Sequence, residues 1–180
     1  GALGLGADFR EGDVALRGNF ATLDPEGKVV DRRAGRPPTE ENQRVVAKLK
    51  EAIPRIEDVE VHFYTESEHR VLVVLRGEGL GDAVTDTDPQ KTGLPPLKAK
   101  ALDEASERTA RLVNLLSERI REVLKDEPRM NGALFRGASK KPSFPRMQEV
   151  YKLTPAAIAS YPMYKGLASL VGMEVLPVAV

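Results

Sequence analysis

The 180-residue sequence contains no cysteine. That excludes disulfides, zinc–thiolate sites and Cys nucleophiles, and it makes a reducing cytoplasm the natural compartment. Histidine is scarce. Only His62 and His69 occur, too few for most His-based metal centres. His62 falls on the polar side of a strand pattern and His69 in a turn pattern, so both read as surface residues. Charge of one sign is missing too. Lys plus Arg and Asp plus Glu each number 27, for a formal net charge of zero. This argues against nucleic acid or an anionic membrane as partner, because both select a basic excess. No apolar run approaches the roughly 20 residues of a membrane span. The glycine-rich start, residues 1–6, lacks the basic segment and long apolar core of a signal peptide. GxGxxG, HExxH and Walker motifs are absent, and no Ser-His-Asp set can be nominated.

What is present suits one globular domain over 1–180. Hydrophobic residues make up 41% and charged residues 30%, enough for a core without staples. Residues 13–23 read as a strand, 24–27 as a Pro/Gly turn and 28–32 as the returning strand. Thr39 is the expected N-cap of a helix carrying Val46, Leu49 and Ile53 and closed by Pro54. Val59, Val61 and Phe63 alternate with Glu60, His62 and Tyr64, a half-buried strand. The apolar run 71–75 makes its central partner across a polar turn at 66–69. Residues 77–99 show no periodicity and read as a long loop of the functional or mobile kind. Leu102, Ala105, Thr109, Leu112, Leu116, Ile120 and Val123 line one face of a long helix that Pro128 ends. Further on, the pattern gives a short strand at 133–135, a basic loop at 137–145 and a short helix at 146–151. A strand at 156–160, a helix at 163–171 and a last strand at 174–178 follow. The expected class is α/β or α+β: a mixed β-sheet covered by helices, with two β-hairpins and one long helix. Both ends, one without Met and one inside an apolar run, read as cuts through a longer polypeptide.

Four segments hold polar residues that a core does not explain. Arg17 and Asn19 lie on the first strand, between the apolar Leu16 and Phe20. Arg32, Arg33 and Arg36 crowd around Gly35, a fork for phosphate or carboxylate; the alternative is a solvated charged loop. Asp86 and Asp88 stand in Thr-Asp-Thr-Asp-Pro, where carboxylates can accept hydroxyls or relay a proton; the alternative is a turn before proline. Arg136, Ser139 and Lys140 surround Gly137 in a segment suited to an anion, or to simple exposure. Arg44, on the helix after the arginine cluster, reads as a solvated arginine.

These segments carry a resemblance. Gly-Asp-Val-Ala-Leu-Arg-Gly-Asn-Phe-Ala-Thr-Leu-Asp (12–24) and Val-Asp-Arg-Arg-Ala-Gly-Arg (30–36) closely resemble archaeal-type cofactor-independent phosphoglycerate mutases. So do Thr-Asp-Thr-Asp-Pro (85–89), Arg-Gly-Ala-Ser (136–139) and Tyr-Lys-Gly-Leu-Ala-Ser-Leu-Val-Gly-Met (164–173). That family belongs to the alkaline-phosphatase-like metalloenzymes. It interconverts 3-phosphoglycerate and 2-phosphoglycerate with two divalent metal ions (such as Mn, Mg or Zn), a phosphoryl-carrying serine and no 2,3-bisphosphoglycerate.

The sequence lacks the family's Asp-Gly-x-Gly-Asp metal motif, its nucleophile segment and its C-terminal Asp/His ligands. The resemblance therefore implies the inserted, substrate-closing domain alone, without the metal-binding core domain, inactive by itself and holding no cofactor. Its partners would be phosphoglycerate and the core domain of the same polypeptide, in the cytoplasm, with a homo-oligomer left open. It further implies that Arg17, Arg32, Arg33 and Arg36 clamp phosphate or carboxylate, with Asn19 beside them. Asp86 and Asp88 would hold the glycerate hydroxyls, one as proton relay, and Arg136, Ser139 and Lys140 would add anion contacts. Two alternatives stay open: the insert of a phosphonopyruvate decarboxylase-like enzyme, and a non-catalytic anion-binding or interaction module.

Overall fold

The computed structural model describes residues 7–140. They run β1 (Val14–Leu23), β2 (Val29–Asp31), α1 (Thr39–Ala52), β3 (Arg55–Ile56), β4 (Val59–Ser67) and β5 (Arg70–Arg76). A 3₁₀ turn (Glu104–Ser106), α2 (Glu107–Val123) and β6 (Gly132–Lys140) complete the order. The expected elements beyond residue 140, and the tail of the basic loop with them, lie outside the described residues.

β1 is the hub of the sheet. Its residues from Val14 to Asn19 pair with β5 on one edge and with β6 on the other. β4 follows β5, β3 follows β4, and β2 pairs with the far end of β1. The α+β class holds. Where the sequence suggested a mixed sheet, every strand pairing among the described residues is antiparallel.

Side chains alternate across each strand, so the sheet has two unlike faces. Val14, Leu16 and Phe20 of β1, Val61 and Phe63 of β4, and Val71, Val73 and Leu75 of β5 point to one face. There they meet Val45, Val46 and Leu49 of α1 and Leu112, Val113, Leu116 and Ile120 of α2 in one continuous core. The opposite face carries two small apolar clusters. One contains Ala15, Leu72 and Val74; the other contains Ala21, Leu23, Val29 and Leu134. Directly opposed residues of paired strands share a face. Arg17 opposes Leu72 and Arg136, and Asn19 opposes Arg70 and Leu134. All of these polar side chains therefore belong to the face opposite the one that α1 and α2 cover.

Three local expectations give way. Thr39 does not cap α1: Pro38 takes that place without a side-chain bond, and the Thr39 hydroxyl accepts the Glu68 N–H at 3.2 Å instead. Leu102 is not on the long helix face but 70% exposed, because α2 starts only at Glu107. The start is fixed from outside: Ser106 Oγ accepts the Ala83 N–H and Thr109 Oγ1 accepts the Gly81 N–H, pinning the preceding loop to the helix. Finally, residues 137–140 are strand, not loop. Gly137 (φ +66°) sits where the pairing with β1 shifts register between Ala15 and Arg17, a bulge that lets the strand continue.

Candidate functional site

The arginine loop is built by one carboxylate. Asp31, the last residue of β2, accepts the Arg33 N–H through Oδ1 and the Gly35 N–H through Oδ2, both at 2.9 Å. The chain turns tightly enough to put Ala34, Gly35 and Arg36 all at positive φ. Ala34 is fully buried and anchors the tip in the main core, while Arg33 and Arg36 stay exposed. Burying the alanine and tying the backbone throws the arginines outward together.

The acidic loop is fastened to β6. Thr87 is 1% exposed; its N–H donates to the Phe135 carbonyl, and its hydroxyl accepts the Phe135 N–H at 2.8 Å. On one side of it Asp86 accepts the Gly137 N–H at 3.2 Å. On the other, Asp88 is buried and grips Arg32 with both oxygens, at 3.1 Å from Nε and 2.8 Å from Nη2. Asp88 Oδ1 also accepts the Gln90 N–H at 2.8 Å. Burial alone would raise the Asp88 carboxyl pKa. The Arg32 and Gln90 hydrogen bonds and the charges of Arg32 and Arg136 outweigh it and hold the carboxyl below its usual range.

Arg32, Arg33, Arg36, Arg70 and Arg136 converge, with Asn19 and His69, around a cavity of about 350 Å³. Of these guanidinium groups Arg32 is neutralised by Asp88, and Arg36 has only a loose Glu68 contact at 4.0 Å. Arg33 and Arg136 have no carboxylate partner among the described residues. Such a concave surplus of forked donors suits a phosphate or carboxylate and repels a cation.

The residues singled out in the sequence thus separate into groups. Asn19, Arg32, Arg33, Arg36 and Arg136 line one cavity. Asp88 lies beneath it through Arg32 and Asp86 beside it on the Gly137 N–H, but neither lines it. Arg17 is outside its lining, against the Gly137 bulge, where an added Cβ would come within 2.8 Å of its Nη2. Ser139 opposes Ala15 and Lys140 opposes Val14, toward the other end of β6, with the Lys140 N–H on Asp82. His69 and Arg70 were not singled out, and both line the cavity. The surface position expected for His69 is wrong: it is 6% exposed. Burial, then the charges of Arg70, Arg33 and Arg36, hold its pKa below the ordinary histidine value against the pull of Glu68. Arg44 is exposed, as expected of a solvated arginine, but it is not without partners: it bonds both Glu41 and Glu127, whose side chain is 8% exposed.

A family model described as 2,3-bisphosphoglycerate-independent phosphoglycerate mutase matches residues 1–130, well over half of the chain. The chain belongs to this family. A probable phosphoglycerate mutase of this cofactor-independent type from a strain of Thermus thermophilus is 99% identical over 177 residues, covering 98% of this chain and 44% of that protein. Its namesake from Thermotoga maritima is 58% identical over 176 residues, covering 97% of this chain and 43% of that protein. The solved cofactor-independent phosphoglycerate mutase of Thermoplasma acidophilum superposes with a TM-score of 0.72 at 36% identity, covering 80% of this chain and 41% of that one. The chain thus spans less than half the length of these mutase relatives. Among the described residues no three His, Cys, Asp or Glu side chains group to hold a metal ion. No described helix is long and apolar enough to cross a membrane.

Proposed function

We propose that the chain is a single inserted domain of a phosphoglycerate mutase and that its arginine cavity holds the phosphate or carboxylate of phosphoglycerate. The parent enzyme interconverts 3-phosphoglycerate and 2-phosphoglycerate in cytoplasmic glycolysis and gluconeogenesis. The remainder of that polypeptide, of the alkaline-phosphatase-like class, supplies the metal ions and the serine that carries the phosphoryl group. One observation carries the reading: guanidinium groups from the β2–α1 loop, β5 and β6 face one cavity of small-molecule size, and among the described residues only Asp88 answers them at close range. Phosphoryl transfer depends mainly on positioning and charge stabilisation, and this cavity supplies both.

In this reading the two aspartates part company. Asp88 has both oxygens occupied and a depressed pKa, which suits it to fixing the Arg32 fork and not to relaying a proton. Asp86 keeps the expected role near the substrate hydroxyls. Arg17, Ser139 and Lys140 act at the margin.

The test is kinetic and uses the intact enzyme. Arg33→Ala, Arg36→Ala and Arg136→Ala should each lower kcat/KM roughly ten- to a hundredfold, the worth of a charge-assisted hydrogen bond in a closed site. Arg119→Ala, on the exposed side of α2, should stay within about twofold. Near-normal kinetics in all three pocket variants would make the cavity a charged surface feature and nothing more.

A further inference from the structure

His69 is placed with more care than a turn residue needs. It is the second of two residues, after Glu68, joining β4 to β5, and Ser67 and Arg70 pair across the turn. Asn42, fully buried on α1, sends its Nδ2 to the carbonyls on both sides of the histidine, Glu68 O at 2.7 Å and Arg70 O at 2.9 Å. Thr39, on the same helix, takes the Glu68 N–H. From the sheet, the Phe20 N–H donates to the His69 carbonyl at 2.7 Å. Two elements, α1 and β1, therefore fix this backbone, and Glu68 accepts a left-handed conformation (φ +54°) to complete the turn.

The side chain so fixed is left without a partner. His69 is only 6% exposed, and its Nδ1 is fully buried with no hydrogen-bond partner among the described residues. Buried polar atoms are rarely left this way, because an unmade hydrogen bond keeps its full desolvation cost. The ring lines the arginine cavity. We propose that His69 is a ligand group of that cavity, held by Asn42 and Thr39 so that its imidazole hydrogen-bonds an oxygen of the anion the arginines bind. The proposal rests on the anion-binding reading above and adds the residue that reads the anion's geometry as well as its charge.

The charges facing the ring define its state. Arg33 and Arg36 come from the β2–α1 loop, Arg70 and Glu68 from the hairpin, and Arg32 and Arg136 from the cavity rim. Before an anion binds, the arginines and burial keep the imidazole neutral, so it has one N–H to donate and one nitrogen to accept. A bound anion offsets the arginine charge and favours protonation. Binding should then be accompanied by proton uptake, and affinity should rise as pH falls through the His69 titration in the complex.

The chain has only two histidines, His62 and His69, so its imidazole spectrum is simple. The experiment is an ¹⁵N-resolved NMR titration of the 180-residue chain against pH, then against inorganic phosphate, glycerate and 3-phosphoglycerate. Without ligand, His69 should titrate below the ordinary histidine value. Phosphate or 3-phosphoglycerate should shift the His69 ring nitrogens and raise its titration midpoint, while the ring-nitrogen signals of His62, which does not line the cavity and is bonded to Glu60, show no response to ligand. Response to phosphate but not glycerate assigns the cavity to the phosphate end, and the reverse assigns it to the carboxylate. His69→Phe should weaken binding of the responding ligand roughly tenfold, the loss of one hydrogen bond, with the Arg33 and Arg36 side-chain signals still responding. If those arginine signals move while His69 stays silent to every ligand, the proposal is overturned and the anion cavity stands. If the arginines are silent as well, the cavity reading itself is overturned.

Discussion

Glu127 shows how differently arginine is used on the two sides of this molecule. Its carboxylate is largely buried just past the end of α2, where Arg44 bonds both of its oxygens, at 3.0 and 2.7 Å, and Lys48 adds a third contact at 3.1 Å. Arg44 is thereby committed to structure, whereas Arg33 and Arg136 have no carboxylate partner among the described residues. The Arg44 hydrogen bonds, more than the opposing burial, lower the Glu127 pKa from 4.5 to about 2. The folded value lies below the unfolded one. The stabilisation is therefore fully present above about pH 4.5 and fades as pH falls toward about 2. Glu127→Gln should lose on the order of 1–2 kcal/mol at pH 7, discounted because Arg44 is half exposed. The gap between the two proteins should close over that acid window, as read by urea denaturation at a series of pH values. A gap independent of pH would show that the carboxylate charge is not what stabilises the fold. At this scale the sequence revealed residue types but not their partners. Arg32, Arg33 and Arg36 were legible as a fork because they crowd one glycine. His69 was not, because the residues that hold its turn, Asn42 and Thr39, stand on a different element. A signal did exist: Asn42 stands three and four positions before Val45 and Val46, so the helix's apolar stripe carries one polar residue in need of a buried partner.

Among the elements, β6 does the most to shape the cavity. It pairs with β1 along one edge, receives Thr87 from the acidic loop, and carries Arg136 just before its bulge. Gly137 makes the bulge possible at φ +66° and leaves room for the Arg17 guanidinium. Gly137→Ala should cost about 1–2 kcal/mol for the left-handed conformation and displace Arg17, whose flexible end can move cheaply. Its thermal midpoint should fall by several degrees, and phosphate affinity should fall as Arg136 is re-aimed. Gly12→Ala is a matched comparison, since Gly12 also has positive φ but no neighbour within 4 Å. It should reproduce the stability loss without the loss of affinity. Equal phosphate affinity in both variants would show that the bulge does not aim Arg136. Sequence reasoning chose the wrong element here because a glycine in a basic run looks like a loop, whereas inside a sheet it can be a bulge. The α1 start misled for a related reason. Thr39 is a good cap by type, but a backbone N–H from the hairpin competes for the same hydroxyl.

For the molecule as a whole, the sheet divides into a face covered by α1 and α2 and a face that carries the arginine cavity. The described residues form a continuous core between α1, α2 and the sheet. The chain should therefore unfold cooperatively in urea, with coincident fluorescence and circular dichroism transitions. It should bind inorganic phosphate with an affinity that weakens as salt rises, because the attraction is largely electrostatic. It should not convert 3-phosphoglycerate, since it lacks the metal and nucleophile motifs that the family resemblance calls for. Turnover by the purified chain, free of contaminating mutase, would overturn the view of it as a substrate-holding part.

By itself the sequence determined the strands of β1, β4 and β5, both helices, the α+β class and the arginine fork. Each of these is written in local periodicity or local crowding, which a short window can report. It also determined the family, through runs of residues kept in order. Tertiary structure alone decided which charges are free. Asp88 reaches Arg32 across 56 positions and Glu127 reaches Arg44 across 83. Phe135 meets Thr87 across 48, and Asn42 reaches the carbonyls around His69 across 26 and 28. A charge is neutralised, or an imidazole buried, by whatever packing brings within about 3 Å of it. Those distances are set by how α1, α2 and the strands pack on one another, which no local pattern specifies.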